Sequence, residues 1–167
     1  MFEIRGDHFL SILMSLLYLI LFTLSIWNYL YPANYISTIS IIFLILICIS
    51  TDIGGFIIGK LVGGKKLTKI SPNKTYSGAI GSIVLSLSVG TIFFNYQKEY
   101  LTFDINFLAI ILIISLISQL GDLTISLLKR KAKIKDTGVI LPGHGGILDR
   151  IDGILLGLPL GLALISF

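Results

Sequence analysis

Five long apolar segments run through the chain and leave few folds open to it. They cover residues 9–29, 36–50, 77–96, 107–128 and 147–167, and the second continues past Gly54 and Gly55 into an apolar stretch that ends near Val62. A helix needs about 20 apolar residues to cross the hydrocarbon core of a bilayer. Because 54% of the residues are hydrophobic and only 13% are charged, a soluble domain is excluded. The sequence predicts an all-α, polytopic integral membrane protein with about five transmembrane helices in one domain, residues 1–167.

The basic residues are concentrated in two loops between apolar segments. These loops, after the second and fourth segments, hold Lys60, Lys65, Lys66, Lys69, Lys74, Lys129, Arg130, Lys131, Lys133, Lys135 and Arg150. The positive-inside rule places both loops and the N-terminus in the cytoplasm and the C-terminus outside. The first segment lacks a small-residue cleavage site, so we expect a retained anchor rather than a signal peptide. The predicted location is the inner membrane, with the polar site facing the cytoplasm.

Carboxylates interrupt two of the apolar segments. Asp122 lies inside the fourth, and Asp149 and Asp152 lie three residues apart at the start of the fifth. A charged side chain within a membrane helix costs about 2.5–3.5 kcal/mol on insertion scales, so it needs a partner or a function. One interpretation is structural ion pairing, for example of Asp122 with Lys129 on the same helix face. The other is a divalent metal bound to phosphates, which the clustering of several carboxylates favours.

A glycine-rich turn stands between the second basic loop and the last apolar segment. Gly143, Gly145 and Gly146 surround His144, and the next helix is expected to begin at Ile147. Glycines let backbone N–H groups approach an anion closely, and a helix N-terminus favours negative charge. The turn and the neighbouring carboxylates together predict a site for a metal-bound polyphosphate at the membrane surface.

Other patterns indicate helix packing rather than chemistry. The run from Gly54 to Lys60 approaches a phosphate-binding loop, but Leu61 replaces the required hydroxyl residue, so we expect it to be part of a helix. Cys48 is expected to be a small packed or lipid-facing hydrophobe. Glycines spaced by four residues favour close contact between helices in a membrane, and they are Gly55, Gly59 and Gly63 in one segment and Gly153, Gly157 and Gly161 in another.

The polar residues also follow the motifs of a known family. The run from 126 to 152 reads SLLKRKAKIKDTGVILPGHGGILDRID, and it is preceded by DIGGFIIGK at 52–60 and SPNKTYSG at 71–78. These three elements resemble the signature and upstream motifs of the phosphatidate cytidylyltransferases, or CDP-diacylglycerol synthases. The resemblance covers residues 51–167. Tyr76 and Ser77 depart from it, because the family usually has Trp and Glu there.

The resemblance implies an enzyme that transfers CMP from CTP to phosphatidate with Mg²⁺, giving CDP-diacylglycerol and pyrophosphate. On this interpretation Asp122 and Asp149 hold the metal, with Asp152 and Asp52 as weaker candidates. The residues expected to bind the triphosphate and the leaving pyrophosphate are Lys129, Arg130, Lys135, His144 and Arg150. The remaining substrate-binding candidates are Ser71, Lys74, Thr75, Ser126, Gly145 and Gly146. The expected partners are CTP, phosphatidate and membrane lipids, without nucleic acid, and a homodimer is compatible with this interpretation.

Three other functions remain open from the sequence. A CTP-dependent kinase of a polyprenol or phytol would use the same metal and nucleotide site with a different acceptor. A small transporter should carry polar residues on both sides of the membrane, whereas the external side offers only Lys98, Glu99 and Asp104 in a loop. A purely structural subunit would not need so many phosphate-binding residue types.

Overall fold

Five α-helices make up the fold in the computed structural model, which describes residues 6–31, 35–68, 71, 73–101, 106–132 and 148–165. Within these ranges, side-chain environments are described for all residues except 6–15 and 148–150. The helices are α1 (Gly6–Leu30), α2 (Tyr35–Val62), α3 (Tyr76–Tyr96), α4 (Phe107–Lys131) and α5 (Leu148–Ile165). Each coincides with a predicted apolar segment, so the all-α prediction is confirmed.

Among the described residues, three helices are long and apolar enough to cross a membrane, namely Tyr35–Val62, Tyr76–Tyr96 and Phe107–Lys131. The apolar stretches found in α1 and α5 are shorter, Leu16–Leu30 and Ile151–Ile165. Large hydrophobic side chains such as Leu21, Phe56 and Ile80 point outward and are more than half exposed. Such a surface suits lipid rather than water. The protein therefore has the character of an integral membrane protein, and the crossing of all five helices stays a prediction.

Helix α2 is continuous through the glycines that interrupt its apolar sequence. The stretch resembling a phosphate-binding loop is thus helical, as expected. Its glycines lie against α3: a Cβ added at Gly54 would come within 2.6 Å of the Gly81 carbonyl oxygen, and one at Gly55 within 2.6 Å of the Ser82 hydroxyl. Gly59 faces Gly78 in the same way. Small residues let the two backbones approach closely.

The packing role predicted for Gly63 is wrong. It follows the last residue of α2 with a φ of +63°, and, in the part of the chain that the structure describes, no atom beyond its chain neighbours lies within 4 Å of the position its Cβ would take. Its backbone N–H donates to the Gly59 carbonyl at 3.1 Å. Gly63 therefore ends the helix in the left-handed conformation that glycine adopts without steric cost.

The glycines of α5 pack against α2 and α4, as predicted. A Cβ at Gly153 would meet the Ser118 hydroxyl, one at Gly157 the Cys48 sulfur, and one at Gly161 a Leu44 methyl group. Cys48 is fully buried, which confirms that it is a packed small hydrophobe. The apolar core lies around these contacts and contains Ile39, Phe43, Leu44, Ile47, Cys48, Leu101, Ile110, Ile111, Ile114, Leu158 and Leu162.

Buried hydroxyl groups join the helices toward one end of this core. The Thr51 hydroxyl donates to its own helix at the Ile47 carbonyl, and it also lies 3.0 Å from the Ser115 hydroxyl of α4. Ser82 of α3 donates to the Thr51 carbonyl at 2.6 Å. Because buried polar groups are costly when unpaired, these bonds fix how α2, α3 and α4 meet. Asp52 follows Thr51 directly, so the same contacts position its backbone.

The close approach of α2 and α3 leads to a prediction on stability. We expect Gly54→Ala to lower the midpoint of thermal unfolding in detergent by roughly 5 °C, because the added methyl group must push apart two backbones. Ser88→Thr is the matched control, since it adds one methyl group at an exposed position of α3. Equal midpoints for Gly54→Ala and the wild type would contradict this account of the packing.

Candidate active site

A cavity of about 460 Å³ opens between the helices α2, α3, α4 and α5 and the described residues of the segment that joins α2 to α3. Its wall is partly apolar, with Ile49, Ile53, Phe56, Leu67 and Leu123, and partly polar. The polar wall consists of Thr51, Asp52, Ser71, Asn73, Lys74, Thr75, Ser82, Gln119, Asp122 and Asp152. A cavity with both characters suits a ligand that has a charged group and an apolar part.

Three aspartates from three different helices meet at this cavity. Asp52 comes from α2, Asp122 from α4 and Asp152 from α5. The carboxyl groups of Asp122 and Asp152 contact each other, and Asp52 is close enough to repel both. Asp152 is only 7% exposed, so water screens its charge poorly. A cluster of this kind requires nearby cations.

Two lysines supply positive charge to the cluster. Lys74 forms an ion pair with Asp122, and Lys129 Nζ lies 3.7 Å from Asp152 Oδ2. Lys129 and Asp152 belong to different helices, and Lys74 precedes α3, so both ion pairs join separate parts of the chain. Among the described residues at the site, the three carboxylates outnumber these two ammonium groups. The site therefore favours a further cation over a bare polyphosphate.

The described residues between α2 and α3 fold back so that Lys74 reaches the cavity. Leu67 N donates to the Lys74 carbonyl at 2.8 Å, and Tyr76 N donates to the Lys65 carbonyl at 3.1 Å. The Ser77 hydroxyl donates a hydrogen bond to the Gly63 carbonyl. Ser77 stands where the family that the sequence resembles usually has Glu. In this chain the position therefore secures the segment rather than supplying an acid.

Thr75 begins α3 as its N-cap. Its hydroxyl accepts a hydrogen bond from Gly78 N at 3.1 Å, which satisfies one of the free donors at the helix start. Thr75, Gly78 and Ala79 all line the cavity, so the N-terminus of α3 borders it. The partial positive charge of a helix N-terminus stabilises anions. The substrate-binding role of Thr75 stays a prediction, whereas its role as the N-cap of α3 is observed.

The structure brings together part of the predicted site. Six predicted residues line the cavity, namely Asp52, Ser71, Lys74, Thr75, Asp122 and Asp152, and Lys129 reaches it through Asp152. Ser126 and Arg130 lie on α4 beyond the cavity wall, and Arg130 is exposed. Asp149 and Arg150 belong to the first turn of α5, but their side chains lie outside the described residues. Lys135, His144, Gly145 and Gly146 lie outside the described residues altogether.

Four polar residues of the cavity wall were not assigned from the sequence: Thr51, Asn73, Ser82 and Gln119. The sequence does indicate Gln119 as a site residue, because it is an amide inside an apolar helix, one turn before Asp122, and shares the helix face of that aspartate. The sequence does not indicate Thr51 or Ser82 as site residues, since serine and threonine are common in membrane helices.

The donor set fits a hard cation such as Mg²⁺. Within the described part of the chain, no group of three His, Cys, Asp or Glu side chains is arranged to enclose a metal by itself. Magnesium is usually held by one or two carboxylates and completes its oxygen shell with water and substrate phosphates. The contacting pair Asp122 and Asp152 meets that requirement, with Asp52 nearby.

Comparison with known proteins identifies the family. The sequence model of the Cytidylyltransferase family matches residues 2–167. The phosphatidate cytidylyltransferase of Bacillus subtilis is 49% identical over 111 residues, which are 66% of this chain and 41% of that protein. Those of Helicobacter pylori and Synechocystis are 45% and 41% identical over 132 residues each, covering 77% and 78% of this chain and 48% and 44% of those proteins. The chain thus spans less than half the length of these relatives. The match over nearly all of its residues shows that the chain belongs to the cytidylyltransferase family.

Proposed function

We propose that this protein transfers CMP from CTP to phosphatidate, forming CDP-diacylglycerol and pyrophosphate. The observation that carries the proposal is the meeting of Asp52, Asp122 and Asp152 with Lys74 at one cavity between apolar helices. Relatives named phosphatidate cytidylyltransferase, at 41–49% identity, support the substrate pair.

The reaction makes one phosphorus–oxygen bond and breaks another. An oxygen of the lipid phosphate attacks the α-phosphorus of CTP, and the bond from that phosphorus to the oxygen bridging to the β-phosphate breaks. Pyrophosphate leaves with the electron pair of that bond. A phosphomonoester has a second pKa near 6, so the attacking oxygen is largely deprotonated at neutral pH and needs no strong base. The task of the protein is to hold two anionic groups in line.

The described residues have the properties for this task. Asp122 and Asp152 would hold Mg²⁺, with Asp52 as a further candidate. Asp149, whose side chain lies outside the described residues, stays a predicted ligand beside Asp122. When bound, the metal supplies positive charge that screens the phosphates from each other. Lys74 would neutralise phosphate charge at the cavity wall, and the N-terminus of α3 adds partial positive charge. Lys129 keeps Asp152 oriented, since its ammonium group lies beside that carboxylate.

The basic residues around the site also define its proposed orientation. Lys65, Lys66 and Lys74 precede α3, and Lys129 lies in the last turn of α4, so they lie at the same ends of the helices as the cavity. By the positive-inside rule this end faces the cytoplasm, where CTP is available. We further propose that all five helices cross the inner membrane.

Cysteine labelling tests this orientation. We expect Lys98→Cys, which follows α3, to react with a membrane-impermeant maleimide in intact cells, and Lys66→Cys to react only after the cells are opened. The native Cys48 is fully buried, so background labelling should be low. Labelling of position 66 from outside in intact cells would contradict the proposed topology.

The activity is tested with purified protein in detergent micelles. We expect a lipid product labelled from CTP only when Mg²⁺ and phosphatidate are both present. Omission of each component is the control. Absence of a labelled lipid under all conditions would contradict the proposed function for this chain.

A further inference from the structure

The side chain of Gln119 stands out among the residues of the cavity wall. Its Nε2 is buried and has no hydrogen-bond partner among the described residues, although the residue lines the cavity. A buried donor without an acceptor costs about 1–3 kcal/mol. Such a group in a folded protein requires an explanation, and a ligand that brings its own acceptor provides one.

The position of Gln119 indicates which ligand this is. It lies three residues before Asp122, so it shares the face of that residue about 4.5 Å further along the helix axis. The direction is away from the basic end of α4 and toward the apolar run 107–118. Gln119 is therefore on the apolar side of the acidic cluster.

Ile49 of α2 provides apolar surface on the same side. It lines the cavity, is 41% exposed, and precedes Asp52, so it lies on the side of that aspartate away from the basic last turn of α2. The charged groups Lys74 and Asp122 are suited to the polyphosphate and its metal. A neutral amide donor on the apolar side is suited to an oxygen of the lipid, either of its phosphate or of its ester carbonyls.

We propose that Gln119 is a substrate-binding residue that donates a hydrogen bond from Nε2 to a headgroup oxygen of the lipid acceptor. This inference rests on the proposed function, because it concerns the acceptor of that reaction. It assigns Gln119 to recognition of phosphatidate rather than of CTP.

Two substitutions separate the donor from the shape of the side chain. Gln119→Met keeps the length and removes all hydrogen bonding, and Gln119→Glu keeps the shape but removes the donors at neutral pH. Thr124→Val is the control, because Thr124 is an exposed residue of α4 whose hydroxyl bonds to the Leu120 carbonyl.

Binding is measured first, so that the result does not depend on turnover. Short-chain phosphatidate is titrated into each purified protein without CTP, and the affinity is obtained from the rise in thermal midpoint. We expect the Kd for phosphatidate to rise about tenfold in both Gln119 variants and to stay unchanged in Thr124→Val. Equal affinities in the wild type and both Gln119 variants would overturn the inference. If neither variant folds, Gln119→Asn, which draws the donor back by one methylene group, replaces them with the same expectation.

Steady-state kinetics then separates this inference from the proposed function. We expect the KM for phosphatidate to rise about tenfold in the Gln119 variants while the KM for CTP stays constant. A rise in the KM for CTP alone would overturn the assignment to the lipid and leave the proposed function intact. Loss of phosphatidate binding in the variants of a protein that forms no product would support the lipid contact and reject the reaction.

Discussion

Replacement of Asp122 by Asn is expected to reduce turnover at least ~100-fold, equivalent to about 2.7 kcal/mol in the activation free energy. Asn keeps the size of the side chain but cannot balance a divalent cation, and it leaves Lys74 without its ion-pair partner. The measurement is CDP-diacylglycerol formation at saturating CTP, phosphatidate and Mg²⁺.

The control for this substitution is Glu99→Gln, which removes a carboxylate from an exposed position outside the cavity wall. We expect Glu99→Gln to retain wild-type turnover. Thermal unfolding of both variants separates loss of chemistry from loss of fold. If Asp122→Asn retained more than roughly a tenth of the wild-type turnover, a loss under about 1.4 kcal/mol, Asp122 would be a structural partner of Lys74 and not a metal ligand.

Lys74→Met is expected to have the second largest effect. This substitution leaves the partly buried Asp122 without its ion-pair partner and removes a cation from the cavity wall. Loss of one partner of such a pair costs about 2–5 kcal/mol. We expect kcat/KM for CTP to fall about 100-fold, and a direct nucleotide-binding measurement should show weaker affinity.

Lys66→Met provides the matched control for Lys74, because it removes an exposed lysine from the same segment, outside the cavity wall. Lys74→Arg tests the charge, and we expect it to recover part of the lost activity. Equal losses in Lys74→Met and Lys66→Met would mean that general basic charge matters, and the specific contact with Asp122 would have no role in binding.

The helices were predictable from the sequence because a bilayer imposes one rule on all of them. A segment of about 20 apolar residues must satisfy its backbone hydrogen bonds internally, and a helix does so. The predicted second segment ended at residue 50 with an apolar extension to Val62, and the structure joins both into α2. Glycine did not interrupt that helix, because Gly54 and Gly55 face small residues of α3.

The partners within the site were harder to predict. Asp122 and Asp152 were recognisable, since a carboxylate within an apolar segment is costly. Their ion-pair partners depend on how segments far apart in sequence meet, and nothing local indicated that Lys74 would reach Asp122. Asp52 and Asp152 were both predicted only as weaker metal ligands. The crossing of α2 with α5 places the Asp52 carboxylate near Gly153 and the other two aspartates.

The family resemblance identified motif positions without assigning a role to each. The position of Ser77 illustrates this limit, because its hydroxyl bonds to the Gly63 carbonyl and so has a structural use in this chain. Gly63 was expected to pack against a helix on account of its spacing, whereas its positive φ ends α2. Spacing alone cannot distinguish a glycine that packs from one that turns.

The proposed transfer is tested most directly by the phosphate of CTP that reaches the lipid. Purified protein is incubated with phosphatidate, Mg²⁺ and CTP labelled at either the α- or the γ-phosphate, and Asp122→Asn is the inactive control. Attack at the α-phosphorus predicts a labelled lipid from α-labelled CTP and labelled pyrophosphate from γ-labelled CTP. A lipid that carries only the γ label would show a kinase reaction and would contradict the cytidylyl transfer proposed for this site.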